Sequence, residues 1–157
     1  SVATLLDLTT KFKQEYFLTD LGNAFLKSDD GRADNRLNDR QVDLLSRFVK
    51  DNPFHSSVTY TILSMVESVF VLAKNLYPVP KEAVKQYFVK LVGKEETWRT
   101  PRARVTATYI FSNYACELEL LAKVDDHFYM TPKGIQAILL LQLNRSIKLI
   151  ESQSLTV

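Results

Sequence analysis

The chain has 157 residues and a mass of 18.0 kDa, with 46% hydrophobic residues, 24% charged residues and a net charge of +2. This composition is typical of a globular chain with one sizeable core or two small ones. A single cysteine excludes an internal disulfide, and with two histidines it leaves too few soft ligands for a structural zinc site. No stretch reaches the roughly 20 apolar residues of a membrane span, and the start does not resemble a signal peptide. We therefore expect a cytoplasmic protein without a membrane segment, cofactor or metal.

The first residues are typical of a short helix, a β-hairpin and a second helix. Residues 2–8 are compatible with a helix, and residues 10–19 form two short strand-like segments. Thr19 can N-cap the following helix, which we expect to end near Lys27. Because the chain begins without a methionine and enters a helical stretch at once, we expect it to be a fragment.

A polar loop at residues 28–36 separates this part from the rest, and we interpret it as a hinge between two lobes. Asn38 then begins a helix that runs to about Asp51, and Gln41 completes a capping box. The next predicted helix covers residues 56–76 and is apolar nearly all round in its second half. Such a pattern indicates burial, so we expect this helix to be the spine between the lobes.

A helix-turn-helix is predicted after the spine. Residues 77–80 contain two prolines and are interpreted as a rigid break. They precede a short amphipathic helix over residues 81–91. A further helix over residues 101–120 has Thr100 as its N-cap and Pro101 at its first position, where the missing N–H has no helical partner to lose. The two helices form a helix-turn-helix with an extended turn.

A second β-hairpin is predicted over residues 120–124 and 127–131, joined by Asp125 and Asp126, which suit a two-residue turn. A long helix then covers residues 132–152. The order of helix, hairpin and helix is typical of the end of a winged helix.

One short motif occurs twice in the sequence, 112 residues apart. It consists of two aromatic residues, an aliphatic residue, threonine and, three residues later, glycine. Its two copies are Tyr16, Phe17, Leu18, Thr19 and Gly22, and Phe128, Tyr129, Met130, Thr131 and Gly134. We therefore predict a mainly α fold with small β-hairpin wings and two winged helix-turn-helix lobes. Residues 1–36 are predicted to be the C-terminal part of the first lobe and a linker. Residues 37–157 are predicted to be the second lobe, with the spine and the C-terminal helix.

The helix that begins at Pro101 has a polar stripe suited to reading DNA. Its predicted inner face holds Ala103, Ala107, Ile110, Tyr114 and Leu118, widened by Phe111. The opposite stripe holds Arg102, Thr106, Tyr109 and Asn113, with Arg99 and Arg104 near the N-terminal end. Arginine can pair with guanine, asparagine with adenine, and threonine can contact the thymine methyl group. We predict that this stripe contacts the major groove; a solvated basic face is the alternative.

Basic residues around this helix predict contacts to the DNA backbone. Residues 85–104 include six basic and two acidic residues, a net charge of +4 against +2 for the whole chain. We expect Lys90, Lys94 and Arg99 to contact phosphates. Lys123, on the second hairpin, is placed to contact the backbone or the minor groove, although a lone lysine on a hairpin is commonly only solvated.

Motifs for catalysis are missing from the sequence. It contains no glycine-rich phosphate loop, HExxH motif or paired CxxC. Cys116 is interpreted as a small core residue rather than a nucleophile. Glu117, Glu119 and Lys123 are spaced as in a nuclease ExExxxK motif, but they lie across a helix end rather than on core strands. We expect this chain to contain no catalytic residue.

The order of elements resembles the DNA-recognition part of type IIS restriction and nicking endonucleases. The segments that support this resemblance are YFLTDLGNAFL, RQVDLLSRFVKDNPF, TPRARVTATYIFSNYACELELLAK and HFYMTPKGIQAIL. The resemblance implies that successive winged-helix-like subdomains read the site while a separate nuclease domain cuts it. It places Arg102, Arg104, Thr106 and Asn113 near the major groove. The whole protein would then be a DNA endonuclease, a hydrolase.

The expected function is sequence-specific binding of double-stranded DNA. An alternative is a protein-interaction or scaffold module that binds a partner domain through the surface from Leu139 to Ile150. Two observations favour it: winged helices also serve as scaffolds, and a net charge of +2 is low for a DNA-binding protein. A third possibility is a ligand-sensing transcriptional regulator that forms a homodimer through the same helix.

Overall fold

The computed structural model describes residues 1–154, which form a mainly helical fold (60%) with two small antiparallel sheets. In chain order the elements are α1 (Val2–Leu5), β1 (Thr9–Phe12), β2 (Glu15–Leu18), α2 (Asp20–Lys27), α3 (Asp39–Asp51), α4 (Ser57–Leu72), β3 (Val79–Pro80), α5 (Lys81–Leu91), α6 (Pro101–Glu117), β4 (Leu121–Val124), β5 (His127–Met130) and α7 (Pro132–Ser154). Among these helices, none combines the length and apolar character that crossing a membrane requires.

Helix α3 begins as its sequence predicts. The side chain of Asn38 accepts a hydrogen bond from the backbone N–H of Gln41 (2.9 Å), and the Gln41 side chain accepts one from the backbone N–H of Asn38 (3.1 Å). This reciprocal pair satisfies two N–H groups that a helix start otherwise leaves without partners. The predicted capping box is therefore confirmed.

Helix α4 is the centre of the fold, in agreement with the prediction of a buried spine. Every residue from 61 to 69 is buried, and the helix packs against α5, α6 and α7. It ends at Leu72 rather than at Leu76, and Leu76 is exposed. Its buried hydroxyls donate to carbonyls one turn earlier in the same helix, for example Ser68 to Ser64 (2.7 Å), so few polar groups in the core lack a partner.

Strand β3 was not predicted from the sequence, which indicated only a rigid break at residues 77–80. Val79 pairs with Phe128 and Pro80 with His127, so the second sheet has the order β3-β5-β4. Pro80 has no N–H to donate, and it is tolerated because β3 lies at the edge of the sheet. The Val79 side chain is fully buried.

The two predicted hairpins have the same local geometry. Thr19 caps α2 by accepting a hydrogen bond from the N–H of Gly22 (2.9 Å), and its hydroxyl donates to the carbonyl of Asp7. The same two bonds occur 112 residues later. The Thr131 hydroxyl accepts a hydrogen bond from the N–H of Gly134 (3.0 Å) and donates one to the carbonyl of Glu119 (2.6 Å). The threonine thus ties the start of each helix to the chain that enters the hairpin.

Several other features recur with the same offset. Two positions in each unit have positive φ. One lies two residues before the hairpin: Asp7 (59°) in the first unit and Glu119 (56°) in the second. The other is the first residue of the turn: Lys13 (56°) and Asp125 (53°). In each copy a Cβ on the helix glycine would lie 1.9 Å from a carbonyl oxygen, that of Leu8 or Leu120. The sequence motif therefore marks a repeated structural unit.

Candidate nucleic-acid interface

The α5–α6 pair is held together by three aromatic rings. The ring centroids of Phe88 and Trp98 are 5.7 Å apart, and those of Trp98 and Phe111 are 6.3 Å apart. Phe88 lies on α5 and is fully buried, Phe111 lies on α6, and Trp98 lies in the connection between the two helices. The cluster fixes the connection against both helices and so positions the N-terminus of α6.

The N-terminus of α6 is capped and free of acidic side chains. The Thr100 hydroxyl accepts a hydrogen bond from the N–H of Ala103 (3.1 Å), Pro101 occupies the first position, and the first turn contains no acidic residue. No negative side chain in the first turn of α6 therefore neutralises the positive end of the helix dipole. This positive end favours the binding of an anion nearby. Arg99 is exposed in front of this end and pairs with Glu96 (3.2 Å).

The predicted reading stripe lies on the outer surface of α6. Arg102, Thr106 and Tyr109 are exposed, and Asn113 is half-buried. Tyr109 has 55% of its surface accessible. Residues at this three- or four-residue spacing share one side of a helix, so the structure brings these four side chains onto one continuous stripe.

The inner face of α6 is confirmed in part, since Ala107 and Leu118 are buried and Phe111 and Tyr114 pack partly buried against the core. The buried residues are Ala107, Thr108, Ser112 and Ala115. Ile110 was expected to lie inside but is 38% exposed. Thr108, Ser112 and Ala115 extend the buried face beyond the predicted residues. Thr108 and Ser112 can be buried because their hydroxyls donate to the helix's own carbonyls, at 2.8 Å to Arg104 and 3.0 Å to Tyr109.

Arg104 lies apart from the outer stripe. It is half-buried, and its Nε donates to the carbonyl of Trp98 (2.8 Å). It lines a shallow groove between α5 and α6 together with Lys85 and Lys90. Lys85 was not among the individually predicted phosphate contacts, although it lies within the +4 segment. Lys94 is half-buried in the connection after α5.

Lys123 lies on β4, near the other end of α6. It is exposed, and its ammonium nitrogen lies 5.9 Å from the centre of the Phe128 ring. Burial raises the pKa of the Cys116 thiol, and the positive charge of Lys123 acts in the opposite direction. Lys123 is therefore close to the C-terminal end of α6, whereas Arg99 lies at its N-terminal end.

A neighbouring lysine is already engaged within the protein. The Lys133 ammonium donates to Asp43 and to Glu119, both at 2.8 Å. These hydrogen bonds raise the pKa of Lys133, and the bond to Lys133 lowers the pKa of Asp43. Lys133 therefore links the start of α7 to α3 and is less suited than Lys123 to contact a ligand.

Residues 1–154 include no cluster of three or more histidine, cysteine or acidic side chains that could hold a metal ion. Comparisons of the chain with protein-family models, with curated proteins and with solved structures find no match. Function is therefore inferred from the geometry of α5, α6 and the hairpin that follows.

Proposed function

We propose that residues 37–157 form a winged-helix lobe. The topology supports this: α4, β3, α5, α6 and the β4–β5 hairpin follow one another as helix, strand, helix, helix and hairpin. The sheet order β3-β5-β4 places the first strand beside the last one. The repeated hairpin geometry supports the assignment of residues 1–36 to the end of a first lobe of the same kind and a linker.

This lobe binds double-stranded DNA in a sequence-specific manner, with α6 as the reading helix. The observation that carries the proposal is the outer stripe of Arg102, Thr106, Tyr109 and Asn113 on the second helix of the helix-turn-helix. The B-DNA major groove is about 12 Å wide and admits one α-helix. A stripe with an arginine, a threonine and an asparagine offers side chains for guanine, thymine and adenine.

The groove between α5 and α6 supplies contacts to the DNA backbone. Lys85, Lys90 and Arg104 line it together with Glu95, which leaves a net charge of +2 (three minus one), and Arg99 is exposed beside the uncompensated N-terminus of α6. Positive side chains flanking a reading helix fix its position by contacting phosphates on both sides of the groove. Lys123, at the opposite end of α6, is assigned to the backbone beside the hairpin.

The biological role proposed for the lobe follows the resemblance of its sequence. It is the recognition part of a type IIS restriction or nicking endonuclease, and a separate nuclease domain performs the cleavage. No residue of this chain is given a catalytic role.

Duplex selection followed by a salt titration tests the proposal. The 157-residue protein selects a sequence from a randomised duplex pool, and its affinity for that sequence is measured across a salt series. Arg102→Ala should weaken binding to the selected site by about 1–3 kcal/mol, roughly 5- to 150-fold, and relax specificity at one position. Lys90→Ala should weaken all sequences alike and reduce the salt slope by about 1.

Arg40→Ala is the matched control, since it removes one positive charge from the exposed side of α3. It should leave affinity for the selected site unchanged within about twofold. No binding at low salt, or an equal loss for Arg40→Ala and Arg102→Ala, would contradict the proposal.

A second candidate function is favoured by α7. Its outer side exposes Ile135, Leu139, Leu143, Ile147, Leu149 and Ile150. Such an apolar surface suits a partner domain in a scaffold protein, or a second copy in a dimeric transcriptional regulator. Salt-dependent DNA binding distinguishes the first function from the scaffold module, which should not bind DNA. A concentration-dependent dimer in sedimentation equilibrium favours the transcriptional regulator.

A further inference from the structure

The outer surface of α6 exposes apolar side chains beside its polar stripe. Ile110 is 38% exposed and Val105 is 45% exposed, and on a helix these two positions flank the stripe that contains Thr106. Ile110 lies outside the buried core and outside the partly buried residues that pack against it. The fold therefore leaves an isoleucine uncovered next to side chains that we assign to base contacts.

A shallow apolar hollow lies between Ile110 and the connection that precedes α6. Five apolar residues line it: Trp98, Ala103, Ala107, Ile110 and Phe111. The two aromatic rings are fixed in place, because their centroids are 6.3 Å apart and both rings pack against the core. Arg102 and Thr106, two members of the outer stripe, also line the hollow. Among the described residues that line it, Arg102 is the only charged one.

An apolar surface beside a cation matches one group in the major groove of DNA. The base edges there present hydrogen-bond donors and acceptors, and their one apolar group is the C5 methyl of thymine. Cytosine presents the same group once it is methylated at C5. The charge also fits a duplex, since Arg102 borders the hollow and the first turn of α6 contains no acidic residue. A pyrimidine with a C5 methyl group is therefore the occupant that this surface suits.

We infer that Ile110 and the hollow beside it recognise the C5 methyl group of a pyrimidine in the DNA site. The eight residues from Arg102 to Ile110 span about 12 Å of helix, which is at most about four base pairs at about 3.4 Å each. The methyl group therefore lies within about four base pairs of the position that Arg102 reads. Ile110 is then a specificity-determining residue outside the polar stripe. The inference rests on the proposed function and adds the methyl group to what the lobe recognises.

Duplexes that differ by a single methyl group test the inference with the unmodified protein. In the selected site, thymines near the position where Arg102→Ala relaxes specificity are replaced one at a time by uracil, which pairs with adenine as thymine does. At the responsive position, cytosine and 5-methylcytosine are then compared in the same way. Uracil should bind about fourfold more weakly than thymine, and cytosine about fourfold more weakly than 5-methylcytosine, because each pair differs by one buried carbon.

Variants of α6 show which side chain reads the methyl group. Ile110→Ala should reduce both ratios to below about twofold, because the methyl group then loses its apolar partner. Its midpoint of urea denaturation should stay close to that of the parent, since Ile110 is outside the core. Ile135→Ala is the matched control: Ile135 is 40% exposed and lies on α7, so both ratios should be retained. Thr106→Ser removes a methyl group from the stripe and should reduce the ratios less than Ile110→Ala.

The failure of this inference is distinguishable from the failure of the proposed function. Selective, salt-dependent binding with equal affinity for thymine and uracil at every such position would overturn the inference alone. A thymine preference that Ile110→Ala leaves unchanged, or that Ile135→Ala removes equally, would also overturn it, because the hollow would then not read the methyl group. Absence of duplex binding at low salt would overturn the proposed function and the inference together.

Discussion

Replacing Arg145 with methionine should destabilise the fold by about 3 kcal/mol, because it leaves a buried carboxylate without its cation. Glu67 lies on the central helix α4 and is only 6% exposed. Its Oε1 accepts a hydrogen bond from Arg145 on α7 (2.5 Å), and its Oε2 is buried with no hydrogen-bond partner. The pair is therefore the main polar link between the two helices, and the arginine is the only cation paired with Glu67 among the described residues.

The magnitude follows from the burial of each partner. Breaking a fully buried pair by removing one partner typically costs about 3–5 kcal/mol, whereas an exposed pair contributes about 0–1 kcal/mol. The Arg145 side chain is 33% exposed, so water can partly reach the vacated position and the lower end of the first range applies. Arg145 also donates a longer hydrogen bond to the Tyr60 hydroxyl (3.4 Å), which the substitution removes as well.

Urea denaturation of the single and double variants measures this cost. Combining Arg145→Met with Glu67→Met should recover most of the stability, because two apolar side chains of similar volume leave no buried charge. Lys148→Met is the control: it removes a cation from the same helix, one whose ammonium lies 3.7 Å from the centre of the Phe54 ring, and should cost less than about 1 kcal/mol. A loss below about 1 kcal/mol for Arg145→Met, or additive effects in the double variant, would refute the reasoning.

Two further predictions concern the start of α7 and the residues it contacts. Gly134→Ala should lower the melting temperature by about 4–8 °C, because the added Cβ would lie 1.9 Å from the Leu120 carbonyl oxygen. The loss is expected although alanine is the better helix former. An unchanged or higher melting temperature in a thermal scan would contradict this prediction. Lys133 lowers the pKa of Asp43 from 3.8, so the stability from this pair is present above that value and is lost as the pH falls through the lower folded value. In Asp43→Asn, the free energy of unfolding from urea denaturation should therefore fall less steeply below about pH 4 than in the parent. Identical pH profiles for the variant and the parent would show that the pair has no role.

The sequence predicted the helices and the hairpins well because their ends carry local signals. Asn38, Thr100 and Thr131 each precede a helix, and the structure shows their side chains accepting hydrogen bonds from the first turn. Strand β3 lacks such a signal, since two residues show no periodicity and Pro80 argues against a strand. Its pairing with β5 depends on a contact between residues nearly fifty positions apart.

The candidate site was predicted in part. Arg102, Thr106 and Tyr109 lie on the expected outer stripe, and apolarity identified only part of the inner face of α6. The helix also buries Thr108 and Ser112, because hydroxyls that bond to their own helix are compatible with a core, and it exposes Ile110. In a sequence pattern every hydroxyl counts as polar, so its hydrogen bond to the helix backbone is not visible there. The position of Arg104 also depended on a contact to a loop carbonyl, which no local pattern encodes.

The small side chains beneath α6 also determine how freely the helix can move. Alanine has no side-chain rotamers to lose on burial, and threonine and serine are restricted further by their bonds to the helix backbone. Long side chains in the same positions would each lose up to about 2 kcal/mol of rotamer entropy and could repack in several ways. Ala107, Thr108, Ser112 and Ala115 lie inside, and Phe111 packs against Phe88 and Trp98, so α6 is held both by small side chains and by interlocking rings. The helix therefore presents its outer stripe at one axial rotation, whatever that stripe contacts.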